Sequence, residues 1–461
     1  MSKRPRKTKP LTTGVSGLDT VLGGGFLAGR PTLIRGASGA GKSNFALMFA
    51  AANSPTVFAT FDEAPERLKD YAANWGLGSD LSFLDFRPDP EMLVSGEVPE
   101  LGGMLVRIDL ALKKAGAACL VMDAIDVLFE AFENRTQIRR ELHRVINWCV
   151  GRGVTLVATS GVDSDYRAST GILDYIFDCV ILLDRRNENG LVTRILNVLK
   201  LRGTGHGTNE YPFLIDDHGI SLIPVTGIHL SAKSSNRRLS TGIAGLDRML
   251  GERGVWEGSV VMFSGQSGTG KSIFAISMCH AACNAGKTAI YASFEEAPEQ
   301  IIRNAKSIGI ALKKHTETGN LNIVSVGVAE LGVEEHIIRL ARLVDTTRPD
   351  LIFIDPISSL GDLGDARLFK HLVLRLLNHL KASGTTVVLT ELIPDNSKNV
   401  SHMNVSSVTD TWVRVNRVER DGQYFRSIHV HKSRGSATSD KVVEFQMTKK
   451  GLLLGDTSVA A

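Results

Sequence analysis

The sequence predicts an α/β protein built from two copies of one domain, each a mainly parallel sheet flanked by helices. Three observations indicate this fold. The chain has 461 residues, which is long for a single domain. Five short motifs of the first half recur in the same order in the second half. Short apolar runs rich in β-formers alternate with helical stretches in both halves, which is typical of a parallel sheet with helical crossovers.

The repeated motifs define the two copies. Those of the first copy are Thr13–Asp19, Gly36–Ser43, Thr60–Glu66, Leu120–Asp123 and Lys200–Gly203, and their counterparts are Thr241–Asp247, Gly265–Ser272, Ser293–Glu299, Ile352–Asp355 and Lys432–Gly435. We therefore expect a basic flexible tail at 1–10, a first domain at 11–230, a polar linker at 231–238 and a second domain at 239–461.

The second motif of each copy fits the phosphate-binding P-loop pattern G-x-x-x-x-G-K-[ST]. A predicted strand at 259–264 precedes the second P-loop and a predicted helix at 273–285 follows it, as the motif requires. Glycines let successive N–H groups converge on one anion at a helix N-terminus. The predicted ATP-binding residues are Gly36, Ser38, Gly39, Ala40, Gly41, Lys42 and Ser43 in the first copy and Gly265, Ser267, Gly268, Thr269, Gly270, Lys271 and Ser272 in the second.

A magnesium site is predicted beside each P-loop. Asp123 and Asp355 each end an apolar strand, which is the Walker B arrangement. A carboxylate there can hold Mg²⁺ together with the P-loop hydroxyl of Ser43 or Ser272. ATP and Mg²⁺ are therefore the expected substrate and cofactor.

An acidic pair directly follows the second predicted strand of each copy. The pairs are Asp62-Glu63 and Glu295-Glu296. Either carboxylate could orient and deprotonate a water or a hydroxyl that attacks the γ-phosphate. The alternative is an acidic pair that suits a helix N-terminus, but recurrence in both copies favours a catalytic role. The sequence leaves open which of Asp62 and Glu63 acts.

Two cations lie late in each copy, in a predicted hairpin near the edge of the sheet. They are Lys200 and Arg202 in the first copy and Lys432 and Arg434 in the second. From a hairpin they could reach the phosphates of a neighbouring subunit and stabilise transition-state charge. A surface salt-bridge role is the alternative.

Composition excludes several classes of protein. The net charge of +4 is too small to indicate a nucleic-acid partner. No apolar run is long enough to suggest a membrane span or a secretory signal. The five cysteines show no C-x-x-C spacing and lie among apolar neighbours, so we expect core thiols in a reduced, cytoplasmic protein.

These motifs together resemble the KaiC family of clock ATPases and autokinases. The resemblance spans nearly the whole chain and is carried by the tandem P-loops and by the stretches Ser16–Phe26, Lys200–His206 and Glu210–Phe213. It implies two tandem RecA-like P-loop NTPase domains and a double-ring homo-hexamer with ATP at the subunit interfaces. It also implies slow ATP hydrolysis in the first ring, and reversible phosphorylation of the protein's own hydroxyl groups in the second.

The resemblance also indicates which hydroxyl groups accept phosphate. The family places an adjacent Ser-Thr pair shortly before a T-D-T element, and here Ser406-Ser407 precedes Thr409–Thr411. Ser401 matches a further hydroxyl that the family uses. The corresponding stretch of the first copy, Ile172–Asp178, has no Ser or Thr. We therefore expect a serine autokinase in the second domain and a hydrolase in the first.

Partners follow from the same resemblance. The chain ends soon after Leu452–Leu454, without the tail that recruits KaiA in the cyanobacterial clock, so dependence on KaiA is not expected. A KaiB-like protein that binds the first ring is compatible with the sequence. The biological role could be that of a clock component or of a stress or signalling regulator.

Two other functions are compatible with tandem P-loops. A RecA- or DnaB-type DNA motor shares the fold, but the near-neutral charge and the Ser406-Ser407 pair argue against it. A scaffold that uses ATP only to assemble rings is disfavoured because both copies retain the P-loop lysine and the acidic pair.

Overall fold

A computed structural model of the chain shows two compact units, Met1–Thr226 and Gly227–Ala461. It describes residues 9–78, 80–87, 101–127, 135–162, 171–188, 191–224, 235–251, 253–328, 331–363, 366–393, 407–420 and 422–458. Most of the predicted tail and half of the predicted linker lie outside these residues. Within them, no helix has both the length and the apolar character that a membrane span needs.

The first unit contains one large sheet and a small two-stranded one. Its strands are β1 (Pro10–Leu11), β2 (Phe26–Leu27), β3 (Thr32–Gly36), β4 (Thr56–Thr60), β5 (Leu81–Asp85), β6 (Cys119–Asp123), β7 (Thr155–Ser160), β8 (Cys179–Glu188), β9 (Leu191–Leu201), β10 (Glu210–Asp216) and β11 (Gly219–Leu222). Its helices span Leu18–Val21, Lys42–Ala52, Pro65–Asn74, Leu101–Ala115, Arg135–Arg152 and Gly171–Ile176.

The large sheet of the first unit has nine strands in the order β5-β4-β6-β7-β3-β8-β9-β10-β11. Neighbours from β5 to β8 run parallel. From β8 to β11 they run antiparallel. The carboxyl ends of β3, β4 and β6 therefore meet at one edge, which is where a ligand binds in such sheets.

The second unit repeats this arrangement. Its strands are β12 (Arg238–Leu239), β13 (Val255–Trp256), β14 (Val260–Gly265), β15 (Ala289–Ser293), β16 (Leu321–Ser325), β17 (Leu351–Asp355), β18 (Thr386–Leu392), β19 (Thr411–Arg420), β20 (Gln423–Ser433), β21 (Val443–Thr448) and β22 (Gly451–Ser458). Its α-helices span Ala244–Met249, Lys271–Asn284, Pro298–Ser307, Leu312–Glu317, Val333–Thr347 and Ala366–Ala382, and a 3₁₀ helix spans Ile357–Leu363. The nine-stranded order is β16-β15-β17-β18-β14-β19-β20-β21-β22.

The helix after each P-loop is apolar on nearly all sides because it is buried. In the first unit the run Phe45–Ala50 of helix Lys42–Ala52 is buried, and Phe45 and Phe49 pack against Phe26. This packing fixes the helix N-terminus at the carboxyl end of β3. The predicted class, two mainly parallel sheets flanked by helices, is confirmed.

The antiparallel part of each sheet is larger than the sequence predicts. In the first unit β8 spans Cys179–Glu188, and β10 and β11 continue the sheet beyond the hairpin of β8 and β9. The last residues of β8 are polar because this end of the strand runs beyond the core. Arg186, in this end of the strand, forms an ion pair with Glu210. Lys200 therefore lies on an interior strand rather than near the edge.

Candidate functional site

In both P-loops the residue before the lysine is a glycine that no other residue could replace without strain. Gly41 has a φ of 102° and Gly270 a φ of 106°, in the left-handed region that side chains disfavour. A Cβ on Gly270 would lie 2.8 Å from the Cε atom of Met447. Each glycine caps the helix that begins at the P-loop lysine, so the first N–H groups of that helix remain available for an anion.

Lys271 lies folded over its own P-loop. Its Nζ donates to the carbonyl oxygen of Gln266 at 2.7 Å, and 8% of the residue is exposed. Burial lowers the pKa of Lys271, whereas the nearby carboxylates of Asp355 and Glu295 act in the opposite direction. The lysine thus faces both the Walker B residue and the first member of the acidic pair.

Lys42 has the same arrangement in the first unit, with more negative charge around it. Its Nζ donates to the carbonyl oxygen of Gly36 at 2.8 Å. Burial lowers the pKa of Lys42, against the charges of Asp126, Asp123 and Asp62. Asp126 was missed by sequence reasoning. Its Oδ2 accepts the backbone N–H of Gly161 at 2.7 Å, which holds the carboxylate at this edge of the sheet.

Asp355 is buried at the end of β17 and is surrounded by hydroxyl groups. Ser272 Oγ donates to its Oδ1 at 3.1 Å, and the Thr390 hydroxyl also hydrogen-bonds to Oδ1. The Tyr291 hydroxyl donates to Oδ2. Burial and the adjacent Asp355 carboxylate raise the pKa of Tyr291 well above its ordinary value, so the phenol stays protonated and donates.

Asp123 occupies the same place in the first unit with fewer donors. Thr159 donates to its Oδ1, and the Ser43 hydroxyl also hydrogen-bonds to this carboxylate. Burial raises the pKa of Asp123, and these two hydrogen bonds act against that rise. Phe58 stands in β4 where Tyr291 stands in β15, so the tyrosine contact is specific to the second unit. Comparing the two copies residue by residue could have revealed Tyr291.

The two residues of the second acidic pair have different partners. Glu295 is exposed and accepts a hydrogen bond from Ser359 Oγ at 2.8 Å. Glu296 accepts from the side-chain amide of Asn304 at 3.1 and 3.3 Å. Because Glu295 also faces Lys271, it lies on the side of the pair that a nucleotide phosphate would occupy.

The first acidic pair divides in the same way. Asp62 is exposed, and its charge acts on Lys42. Glu63 is half-buried, and its backbone carbonyl accepts the hydroxyl of Thr60 at 2.6 Å. Burial raises the pKa of Glu63, and the neighbouring Asp123 and Asp62 raise it further. Asp62 is therefore the counterpart of Glu295 in both sequence and surroundings.

The predicted cations of the first unit contact the helix Gly171–Ile176 of their own domain. Lys200 Nζ donates to the carbonyl oxygens of Asp174 at 2.6 Å and Tyr175 at 3.2 Å. Arg202 donates to the Tyr175 carbonyl at 3.0 Å and pairs with Asp178 at 3.2 Å. Tyr175 itself is 75% exposed.

The cations of the second unit bind backbone carbonyls of the predicted acceptor segment, and the arginine contact matches that of the first unit. Lys432 Nζ donates to the carbonyl oxygen of Thr409 at 2.9 Å. Arg434 donates to the carbonyl oxygen of Ser407 at 2.9 Å and lies 3.8 Å from Asp410. Ser407 thus occupies the place that Tyr175 has in the first unit, and it is exposed. Ser401 and Ser406 lie outside the described residues.

One ion pair near the first site was not predicted. Arg35, on the strand that leads into the P-loop, is 1% exposed and donates to both carboxylate oxygens of Asp174 at 2.9 and 3.1 Å. Its counterpart in the second unit is Ser264, which accepts the indole N–H of Trp412 at 2.6 Å. The sequence carries no signal for this pair because the two residues are far apart in the chain.

Fold and site together define the class of protein. Each unit has a RecA-like, mainly parallel sheet, a glycine that caps the helix after the P-loop, and a Walker B carboxylate beside the P-loop serine. The P-loop lysine is buried in the second unit and half-buried in the first. These are the features of an ATP-binding P-loop ATPase present twice in one chain.

Comparison with known proteins identifies the family. A family model described as "ATPase: KaiC" matches residues 11–227 and 239–458, so the chain belongs to the KaiC ATPase family. The chain is 33% identical over 455 residues to circadian clock protein KaiC2 of Synechocystis sp., covering 95% of this chain and 80% of that protein. It is 32% identical over 458 residues to the circadian clock oscillator protein KaiC of Acaryochloris marina, covering 96% and 87%. The KaiC of Synechococcus elongatus is 31% identical over 459 residues, covering 96% and 88%.

Proposed function

We propose that the second domain transfers the γ-phosphoryl group of ATP to Ser406, Ser407 and Ser401, and that the first domain hydrolyses ATP. The observation that carries this proposal is the matched placement of Ser407 and Tyr175. Arg202 binds the carbonyl of Tyr175 in the helix Gly171–Ile176, and Arg434 binds the carbonyl of Ser407 in a turn, three residues before Asp178 and Asp410 respectively. The two domains therefore present different residues at one position. A serine hydroxyl is present at that position only in the second domain.

The proposed reaction needs a base and an acceptor. Glu295, on the phosphate side of its acidic pair, would take the proton from the attacking serine hydroxyl as the new P–O bond forms and ADP leaves. Asp62 would orient and deprotonate water in the first domain. Glu63 and Glu296, the second members of the two acidic pairs, would assist Asp62 and Glu295 in catalysis.

The site also fits Mg²⁺, which prefers oxygen ligands. Ser43 with Asp123, and Ser272 with Asp355, each bring a hydroxyl and a carboxylate into contact beside the P-loop. When bound, the ion would neutralise charge on the β- and γ-phosphates. The lysines of both P-loops would bind the same phosphates.

We also propose a double-ring homo-hexamer with ATP at the subunit interfaces. The Arg202 and Arg434 side chains remain 56% and 55% exposed while they bind backbone carbonyls of their own domains. That leaves surface from which they, with Lys200 and Lys432, could reach phosphates of a neighbouring subunit. Sedimentation with and without a non-hydrolysable ATP analogue tests this, and a monomer under both conditions would refute it.

The biological role that we propose is regulatory, as a clock component or a stress or signalling switch. Three relatives in the comparison are named as circadian clock proteins. A KaiB-like partner for the first ring is part of this proposal. Following the phosphorylated fraction over several days in cells under constant conditions would distinguish a rhythm from a single response.

The enzymatic proposal is tested by separating the two sites. Lys271→Ala should abolish phosphate incorporation at 401–407 and leave ATP hydrolysis by the first domain. Lys42→Ala should do the reverse. If either variant abolishes both activities with the fold intact, the division of labour is wrong.

A further inference from the structure

A serine hydroxyl touches the proposed base of the second domain. Ser359 Oγ donates to Glu295 Oε1 at 2.8 Å. Ser359 lies in the 3₁₀ helix Ile357–Leu363, directly after the strand that ends in Asp355. The two segments meet because β15 and β17 are parallel neighbours with Ser293 opposite Asp355.

This hydrogen bond has a clear physical effect on an exposed carboxylate. A free glutamate side chain samples several rotamers, and only some direct its oxygens toward the phosphate. The hydrogen bond from Ser359, which is fixed in the 3₁₀ helix, favours one of these Glu295 rotamers. The charges of Lys271 and Glu295 interact, so the two side chains lie near each other. Glu296, by contrast, is held away by Asn304.

The sequence offers a serine at this position in the second domain but not in the first. The residue four positions after Asp123 is Val127, whereas the residue four positions after Asp355 is Ser359. Within the described part of the first unit, no hydrogen bond to the Asp62 carboxylate is found. The adjacent serine also has another role, because Ser358 Oγ accepts the backbone N–H of Leu392 at 3.0 Å.

We propose that Ser359 is a positioning residue for Glu295 in phosphoryl transfer to the acceptor serines. This inference rests on the proposed function of the second domain. Ser359 acts through the carboxylate and takes no part in bond making. Its absence from the first domain accords with a site that activates water, which reorients freely and needs a less strictly held base.

The test compares Ser359→Ala with Ser359→Thr in the full chain. The rate of phosphate incorporation is measured in a single turnover at saturating Mg·ATP, and nucleotide affinity is measured separately with a fluorescent ATP analogue. We expect Ser359→Ala to slow incorporation roughly tenfold with nucleotide affinity unchanged, since one hydrogen bond to a charged group is lost. Ser359→Thr keeps the hydroxyl and should stay within about twofold of the wild type.

A double-mutant cycle separates positioning from a general structural effect. In a Glu295→Gln background, where the base is gone, Ser359→Ala should have no further effect on the residual rate. An equal slowing in both backgrounds, or a wild-type rate for Ser359→Ala alone, would overturn the inference. Wild-type protein that gains no phosphate would instead refute the proposed function, and the inference with it.

Discussion

The hydroxyl of Tyr291 gives the most direct test of how the second site is built. Tyr291→Phe removes one donor to the buried Asp355 carboxylate and reproduces the Phe58 of the first unit. The ring would remain, so its stacking on Phe353, with centroids 5.7 Å apart, should persist. The substitution therefore isolates the hydrogen bond from the packing.

The expected cost follows from the nature of that bond. A hydrogen bond to a charged group contributes about 1.5–3 kcal/mol, and Asp355 is too buried for water to replace the lost donor. In a domain of this size each kcal/mol shifts the melting temperature by about 2–4 °C. Tyr291→Phe should therefore lower the melting temperature of the second unit by roughly 3–12 °C.

Hydrogen-exchange mass spectrometry across a thermal ramp can follow peptides of β15 and β17 in the full chain. Tyr424→Phe is the matched control, because Tyr424 is 60% exposed and its ring lies under Arg417. That control should change stability by less than about 0.5 kcal/mol. If Tyr291→Phe behaves like Tyr424→Phe, the hydroxyl network around Asp355 does not stabilise the fold.

Three further predictions concern charge and backbone. Burial lowers the pKa of His280 and His315, whose ring nitrogens lie 3.0 Å apart, so unfolding takes up protons and stability should fall as the pH drops below 6.5. Each histidine can change the free energy of unfolding by at most about 1.4 kcal/mol per pH unit. His315→Gln should therefore make this free energy, measured by urea titrations from pH 5 to 7.5, less dependent on pH. Asp174→Asn should destabilise the first unit by about 1–3 kcal/mol in urea unfolding, because Arg35 loses its charged partner. Gly270→Ala should weaken ATP binding to the second P-loop at least ~10-fold by calorimetry, since φ is 106° there.

Each of these predictions has its own contrary result. An unchanged pH slope in His315→Gln would show that other groups cause the acid sensitivity. Asp85→Asn breaks an exposed pair with Arg87 and should cost less than about 1 kcal/mol, so an equal loss in Asp174→Asn would show that the burial of Arg35 is unimportant. Gly286 also has a positive φ, 79°, but open space around it. If Gly286→Ala weakens ATP binding as much as Gly270→Ala, the loop geometry is not the cause.

The parts of the site that lie close together in the chain could be predicted from the sequence. The P-loops fix their own geometry, because the glycines, the lysine and the hydroxyl act within eight residues. Asp123 and Asp355 could be placed because each ends an apolar strand. Duplication helped, since a motif that occurs twice in one order is seldom accidental.

Contacts between distant segments could not be predicted, because they depend on which strands are neighbours. Ser359 meets Glu295 only because β15 and β17 are adjacent. Arg35 meets Asp174 because β3 and β8 pair and the helix Gly171–Ile176 precedes β8. Because the strand order was not known from the sequence, Lys200 and Lys432 were predicted to lie near a sheet edge. In the structure, two further strands lie between the strand of each lysine and the edge of the sheet.

The central claim is that the two similar sites send the γ-phosphoryl group to different acceptors. Phosphopeptide mapping by mass spectrometry after incubation with Mg·ATP tests it most directly, with Glu295→Gln as the control. We expect phosphate within residues 401–407 of the wild type, little in the control, and none within residues 172–178. Phosphate missing from 401–407, or equally abundant in Glu295→Gln, would contradict the account.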